Sequence, residues 1–101
     1  KKMKNKRNIA FNMINIGSLY RVLGNYDSAI SFIRQGIELA TEIGALPQVR
    51  DGYNSLAKTY ALAANFEEAY RYHKLFTKVN DSIFREKSAR AIAEMQTKYE
   101  T

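Results

Sequence analysis

The chain of 101 residues contains no cysteine and no tryptophan, and it has only one proline and five glycines. Without cysteine, disulfide bonds and thiolate metal ligation are excluded. The scarcity of proline and glycine leaves few positions for β-turns and favours an all-helical fold. No apolar run in the sequence approaches the length of a membrane span.

The sequence also lacks the groups of residues that are typical of catalytic, metal and phosphate-binding sites. His73 is its single histidine, and one histidine by itself forms neither a metal site nor a catalytic dyad. The adjacent carboxylates Glu67 and Glu68 suit a helix start, where acidic side chains are stabilised. There is no glycine-rich phosphate loop. We therefore expect no catalytic residues, no metal and no cofactor, and a protein that is not an enzyme.

The net charge of +6 is concentrated at one end of the chain. Five basic residues fall within the first seven positions, namely Lys1, Lys2, Lys4, Lys6 and Arg7. The remaining 94 residues carry eleven basic and ten acidic side chains. A basic start can contact phosphate or anionic lipid, but the patch does not continue at helical spacing. We expect no nucleic-acid partner, and keep nucleic-acid binding or a purely structural scaffold that uses this basic start as the alternative function.

Two stretches of the chain repeat each other at an offset of forty residues. The sequence of residues 16–20 and 25–29 matches that of residues 56–60 and 65–69 in residue size and character. Such self-similarity at a fixed period is typical of repeat proteins, in which stacked helical units share one core. The pattern favours a protein that binds a partner rather than one that transforms a substrate.

Helical periodicity and capping residues predict five helices. In the first, between about Asn5 and Leu23, apolar or small residues recur at steps of three and four: Ile9, Met13, Ile16, Gly17 and Tyr20. Asn25 and Asn65 are predicted N-caps of the second and fourth helices, and Pro47 lies near the first turn of the third. The cap-forming run Asn80-Asp81-Ser82 predicts the start of a fifth.

These helices predict a single domain over residues 1–101. Residues 5–44 form the first repeat, residues 45–81 the second, and residues 82–101 a capping or linker helix. Ile92, Met95 and Tyr99 fall at coiled-coil spacing, over about one heptad. This last helix is expected either to cap the fourth helix or to dimerise. Homo-oligomers through it, or through the exposed ends of the repeats, are therefore expected.

The repeated residues resemble the tetratricopeptide repeat. Its pattern is carried by Met13, Ile16, Gly17, Tyr20, Gly24, Tyr26 and Ala29, and again by Tyr53, Leu56, Ala57, Tyr60, Ala64, Phe66 and Ala69. The repeat here is forty residues rather than thirty-four, and Thr41 and Asp81 occupy the places of its usual closing proline. The resemblance implies an all-α superhelix of two helical hairpins plus a fifth helix, acting as a protein or peptide interaction module.

Residues 72–74, 80–84 and 93–101 are similar to the sensory repeat regions of bacterial sensor histidine kinases and of tetratricopeptide-containing transcriptional regulators. This similarity implies the non-catalytic input region of a bacterial signalling protein. Contact with a membrane is then expected only through segments outside this sequence. The similarity favours the periplasmic side of a membrane sensor, with a cytoplasmic location as the alternative.

In the tetratricopeptide fold the first helix of each repeat lines a concave surface. On that geometry the predicted peptide-binding residues are Phe11, Ile14, Asn15, Ser18, Arg21, Val22, Asp51, Asn54, Ser55, Lys58 and Leu62. Amides suit a peptide backbone, and the basic groups suit an acidic side chain or terminal carboxylate. The alternative is that these side chains are solvated helix surface. Ile14 and Ser18 stand where the family's carboxylate clamp has lysine and asparagine, so that clamp is not present in its usual form.

Overall fold

The chain folds into four α-helices joined by short turns. A computed structural model describes the backbone of residues 2–100 and the side chains of residues 5–97. The helices are α1 (Lys2–Val22), α2 (Tyr26–Glu42), α3 (Leu46–Leu62) and α4 (Phe66–Glu100), and the described residues contain no strand. Three-residue connections make successive helices antiparallel. The expected all-α, tetratricopeptide-like helical repeat fold is confirmed, whereas the basic side chains at positions 1, 2 and 4 and that of Tyr99 lie outside the described side chains.

The turns between helices follow the capping chemistry of the sequence. The Asn25 side chain accepts a hydrogen bond from the Ser28 amide at 3.3 Å, and Asn65 accepts one from the Glu68 amide at 3.4 Å. Gly24 and Ala64 occupy equivalent turn positions with φ of 85° and 62°. Glycine adopts this left-handed backbone readily, while alanine adopts it at a cost. The repeat thus preserves the backbone of the turn even where its residue changes.

Two neighbouring clusters of buried side chains form the core. The larger one joins α2, α3 and α4 around Ala29, Ile33, Ile37, Leu56, Ala57, Tyr60 and Tyr72. The smaller one joins the start of α1 to the α2–α3 turn through Ala10, Ala40, Ala45 and Val49. Tyr53 packs against both clusters, which together span the two hairpins, so each repeat is stabilised by its neighbour.

The buried face of α1 includes only part of the apolar series that predicted this helix, since Gly17 is buried while Ile9 and Ile16 are not. Ile9 and Ile16 remain 46% and 40% exposed, whereas Ala10 and Ile14 are 0% and 6% exposed. The periodicity predicted the helix but did not single out its buried face, because α1 carries apolar residues on two faces. Packing against α2 and α3 together selects the face of Ala10, Ile14 and Gly17, and directs Ile9 and Ile16 outward.

The expected fifth helix is not a separate element. Helix α4 continues for 35 residues from Phe66 to Glu100, through Asn80, Asp81 and Ser82. No glycine or proline interrupts this stretch, and these three polar side chains are exposed on an unbroken helix, where water satisfies them. Because the helix is continuous, its second half does not fold back to cap the first, so the capping alternative was wrong.

About half of α4 extends beyond the body of the protein. Helix α3, against which α4 chiefly packs, has 17 residues against the 35 of α4. From residue 89 to residue 97 every side chain is exposed. Along the described part of the chain, no helix combines the length and the apolar character needed to cross a bilayer.

Candidate peptide-binding groove

A groove of about 270 Å³ runs between α1 and α3. It is lined by eight of the eleven residues predicted to face a peptide: Ile14, Asn15, Ser18, Arg21, Asp51, Asn54, Ser55 and Lys58. The antiparallel hairpins place the first helices of the two repeats side by side, which brings residues about forty positions apart onto one surface. The structure therefore assembles most of the predicted set, while peptide binding by it stays a prediction.

Hydrogen bonds fix the two walls of the groove relative to each other. The hydroxyl oxygens of Ser18 and Ser55 lie 2.9 Å apart, and the Arg21 guanidinium donates to the Ser55 hydroxyl at 3.0 Å. The Ser55 carbonyl accepts from Arg21 at 3.4 Å and from the Thr59 hydroxyl at 2.7 Å. These contacts tie α1 to α3 and hold a guanidinium in a defined position at the groove wall.

The charges in the groove are unequal. Arg21 and Lys58 contribute two positive charges, and Asp51 contributes one negative charge. The Asp51 carboxylate is 3.1 Å from Arg50, which lies next to it in sequence, so that carboxylate is already paired. The Lys58 side chain is exposed. The groove consequently offers positive potential to an incoming segment.

The remaining groove residues divide into floor and wall. Ile14 and Ser55 are each 6% exposed, so they form the floor and offer a ligand little surface. Asn15 is exposed and Asn54 is half-buried. Each amide side chain has donors and an acceptor, the groups that an extended peptide backbone needs. The accessible polar groups of the groove therefore belong to its wall rather than to its floor.

Three predicted binding residues do not line this groove. Phe11, Val22 and Leu62 are 50%, 76% and 59% exposed, respectively. They lie on α1 and α3 but outside the lining of the groove. The prediction assigned them by repeat position alone, which gives the helix face but not the limits of a cavity.

A second, larger groove of about 430 Å³ opens between α2 and α4, and the sequence analysis missed it. Its wall contains Arg34 from α2 and Arg71 from α4, with Tyr53 and Tyr72 nearby. The rings of Tyr60 and Tyr72 stack with centroids 5.7 Å apart. Arg71 lies 4.6 Å from the centroid of the Tyr72 ring, at cation–π distance.

The two arginines of the second groove are engaged with neighbours. Arg34 donates to the Tyr60 hydroxyl at 3.2 Å, and interaction with Tyr60 and Tyr72 raises its pKa above the usual value. Arg71 pairs with Glu68 at 2.8 Å, and this hydrogen bond lowers the pKa of the Glu68 carboxyl. The hydrogen bond from Arg34 to Tyr60 links the first repeat to the second. The only sign of this contact in the sequence was the presence of an arginine and tyrosines on helices that the repeat places side by side.

His73 and the acidic residues form no candidate metal centre. Among the residues that the structure describes, no three histidine or carboxylate side chains converge on one point. His73 is exposed, and its ring lies 6.0 Å from that of Phe76. It belongs to the outward surface of α4.

Comparison with known sequences agrees with this geometry for the first hairpin. Residues 12–42 match the family model of the tetratricopeptide repeat. That segment covers about half of α1 and all of α2. No curated protein and no solved structure matches the chain. Tetratricopeptide repeats generally mediate protein–protein interactions, and the family is typically non-catalytic.

Proposed function

We propose that this protein is a protein-interaction module that holds an extended acidic segment of a partner in the groove between α1 and α3. The observation that carries the proposal is the pair Arg21 and Lys58 beside the amides of Asn15 and Asn54. The match of residues 12–42 to the tetratricopeptide repeat supports the functional class. The charge of the groove supports the acidic character of the ligand.

Arg21 and Lys58 have different roles in this proposal. Arg21 is anchored on Ser55, so its guanidinium is oriented before a ligand arrives and little entropy is lost on binding. Lys58 is exposed, and its ammonium group serves as a point charge for a carboxylate. A partner with acidic side chains, or with a terminal carboxylate, satisfies both groups.

The experiment measures fluorescence anisotropy of a labelled peptide of alternating aspartate and serine. A version with lysine in place of aspartate is the charge control. Lys58→Glu is expected to weaken binding about tenfold, the equivalent of ~1.4 kcal/mol. Lys87→Glu makes the same charge change on the exposed part of α4, outside the groove lining, and is expected to have little effect.

Two results would contradict the proposal. One is equal binding of the acidic and basic peptides, and the other is an equal loss in the Lys58 and Lys87 variants. Binding of a single-stranded oligonucleotide that is lost on deletion of residues 1–7, with a steep salt dependence, would support the nucleic-acid alternative instead. In the structure Lys6 is engaged by Glu42 at 2.6 Å, which reduces the free charge of that region.

We also propose that the module is the input region of a bacterial signalling protein, with α4 passing on the binding event. Support comes from the similarity of its last third to bacterial sensory repeats and from the 35-residue length of α4. Hydrogen exchange of residues 83–97, with and without the acidic peptide, tests the relay. Protection that is unchanged on binding would count against it, whatever the affinity of the groove.

A further inference from the structure

Both ends of the helical stack expose apolar side chains beside polar ones. The α1 outer face comprises Asn5, Ile9, Asn12, Ile16 and Leu19 together with Leu23 of the following turn, and the α4 outer face comprises Phe66, Tyr70, His73, Thr77 and Asn80. Leu19 and Leu23 are 62% and 71% exposed, and Phe66 and Tyr70 are 68% and 64% exposed. Exposed apolar residues grouped on one face mark an interaction surface more often than scattered ones do.

The packing of α2 on α3 inside the chain is an example of a contact that covers faces of this kind. The forty-residue offset relates the α1 outer face to the face of α3 that packs on α2. On α3 the counterparts Val49, Leu56 and Thr59 are 5%, 0% and 0% exposed. On α1 the equivalent Ile9 and Leu19 are open to solvent. Helix α1 thus presents a surface that, in its repeat, is buried by a preceding helix.

The same offset relates the α4 outer face to the face of α2 that packs on α3. Ile37 lies against Gly52 of α3, while Ile33 and Ala40 are buried where α2 meets both α1 and α3. Their counterparts on α4 are His73, Thr77 and Asn80, all exposed. Through the forty-residue offset, the α1 outer face therefore corresponds to the α3 side of the internal α2–α3 interface. The α4 outer face corresponds to the α2 side of that interface.

If the α4 outer face packs on the α1 outer face in the register of α2 on α3, polar residues of the two faces lie opposite each other. Inside the chain, Ile37 lies against Gly52, and Ala40 shares a core cluster with Ala45. Applying the offset places Thr77 opposite Asn12 of another molecule. It likewise places Asn80 opposite Asn5.

At the other end of the two faces, the offset brings apolar residues together. Phe66 and Tyr70 meet the segment that holds Leu19 and Leu23. Antiparallel docking in the register of α2 on α3 thus sets Thr77 and Asn80 near asparagines and Phe66 and Tyr70 near leucines, while His73 falls near Ile16.

We propose that copies of this chain stack head to tail, with the α4 outer face of one copy against the α1 outer face of the next. Such a contact is heterologous, so it propagates rather than closing as a two-fold dimer unless the rotation between copies makes a ring. An α4–α4 pair, which would also use Phe84 and Ile92, leaves the α1 outer face uncovered. Head-to-tail stacking covers both faces at once.

The test uses one charge substitution on each face and sedimentation velocity over a range of concentrations. Leu19→Asp and Tyr70→Asp replace exposed side chains, so both variants are expected to keep their helical circular dichroism. At high concentration the unmodified protein is expected to form species with more than twice the monomer mass. Each variant alone is expected to remain monomeric. Val22→Asp, at a 76% exposed α1 position off the outer face, is the control and is expected to assemble normally.

Mixing the two variants separates head-to-tail stacking from its alternative. Leu19→Asp keeps an intact α4 outer face and Tyr70→Asp keeps an intact α1 outer face, so an equimolar mixture is expected to form a 1:1 dimer that grows no further. A dimer that survives Leu19→Asp and is lost with Tyr70→Asp would establish an α4–α4 interface and overturn the proposal. A monomeric parent protein at all concentrations would overturn it too. Leu19→Ser and Tyr70→Ser replace the aspartate variants if helicity falls.

Discussion

The close approach of α1 and α2 at Gly17 allows a quantitative prediction. Replacing a helix-interior glycine by alanine ordinarily stabilises a helix by about 1 kcal/mol. At Gly17 a Cβ atom would lie 2.5 Å from the Ile33 Cγ1 atom and 2.9 Å from the Ala29 carbonyl oxygen. The carbonyl belongs to the α2 backbone and has no rotamer by which to move away, so the helices must separate.

We expect Gly17→Ala to lower the free energy of unfolding by about 1–2 kcal/mol. Overpacking of this kind costs about 1–3 kcal/mol, part of which the helix propensity of alanine offsets. For a domain of this size each kcal/mol lowers Tm by about 4–8 °C. Urea and thermal unfolding followed by circular dichroism measure both quantities. The matched control is Asn8→Ala, an exposed α1 position where alanine adds propensity without a clash, so stability should rise slightly.

A double-mutant cycle with Ile33→Ala tests the mechanism. Alone, Ile33→Ala removes a fully buried side chain and is expected to cost about 2–5 kcal/mol. In the Gly17→Ala background its cost should fall by about 1 kcal/mol or more, because truncation relieves the contact. Additive effects, or a Gly17→Ala protein as stable as the parent, would refute the argument from close packing.

Two further predictions follow from the turn and the surface ion pair. Ala64→Gly, at φ of 62°, is expected to raise the free energy of unfolding by about 0.5–1 kcal/mol, whereas Ala63→Gly, at φ of −82°, should lower it; urea denaturation that ranks them otherwise would contradict this. Because Arg71 lowers the pKa of Glu68, the pair stabilises the fold above the unfolded-state pKa, and its contribution is lost as pH falls through the folded-state pKa. Glu68→Gln should therefore lower Tm at neutral pH and approach the parent in acid, and an equal difference at both pH values would count against the pairing.

Local sequence predicted those parts of the fold whose causes are local. Asn25 was predicted as a helix cap, and its side chain accepts the expected amide hydrogen bond. The groove residues were also assembled largely as predicted. Arg21 and Lys58 are carried to one surface by two helices whose relation follows from the repeat itself.

Other features required the arrangement of helices in space. Neither the stacking of Tyr60 on Tyr72 nor the engagement of Arg34 has a signal within any one helix. These contacts depend on the distance between α2, α3 and α4, which the side chains of all three set together. The second groove was missed for that reason.

By itself, the sequence determined the helical class, the turn positions and the helix face that lines the groove, because propensity, capping and a forty-residue period act along the chain. Tertiary structure decided which of two apolar faces α1 buries, since Ile9 and Ile14 are equally apolar and only contact with α2 and α3 distinguishes them. It also decided that Asn80 lies within a helix rather than at its start. A cap residue ends a helix only where the chain gains contacts by turning, and no described helix offers α4 such contacts at that point.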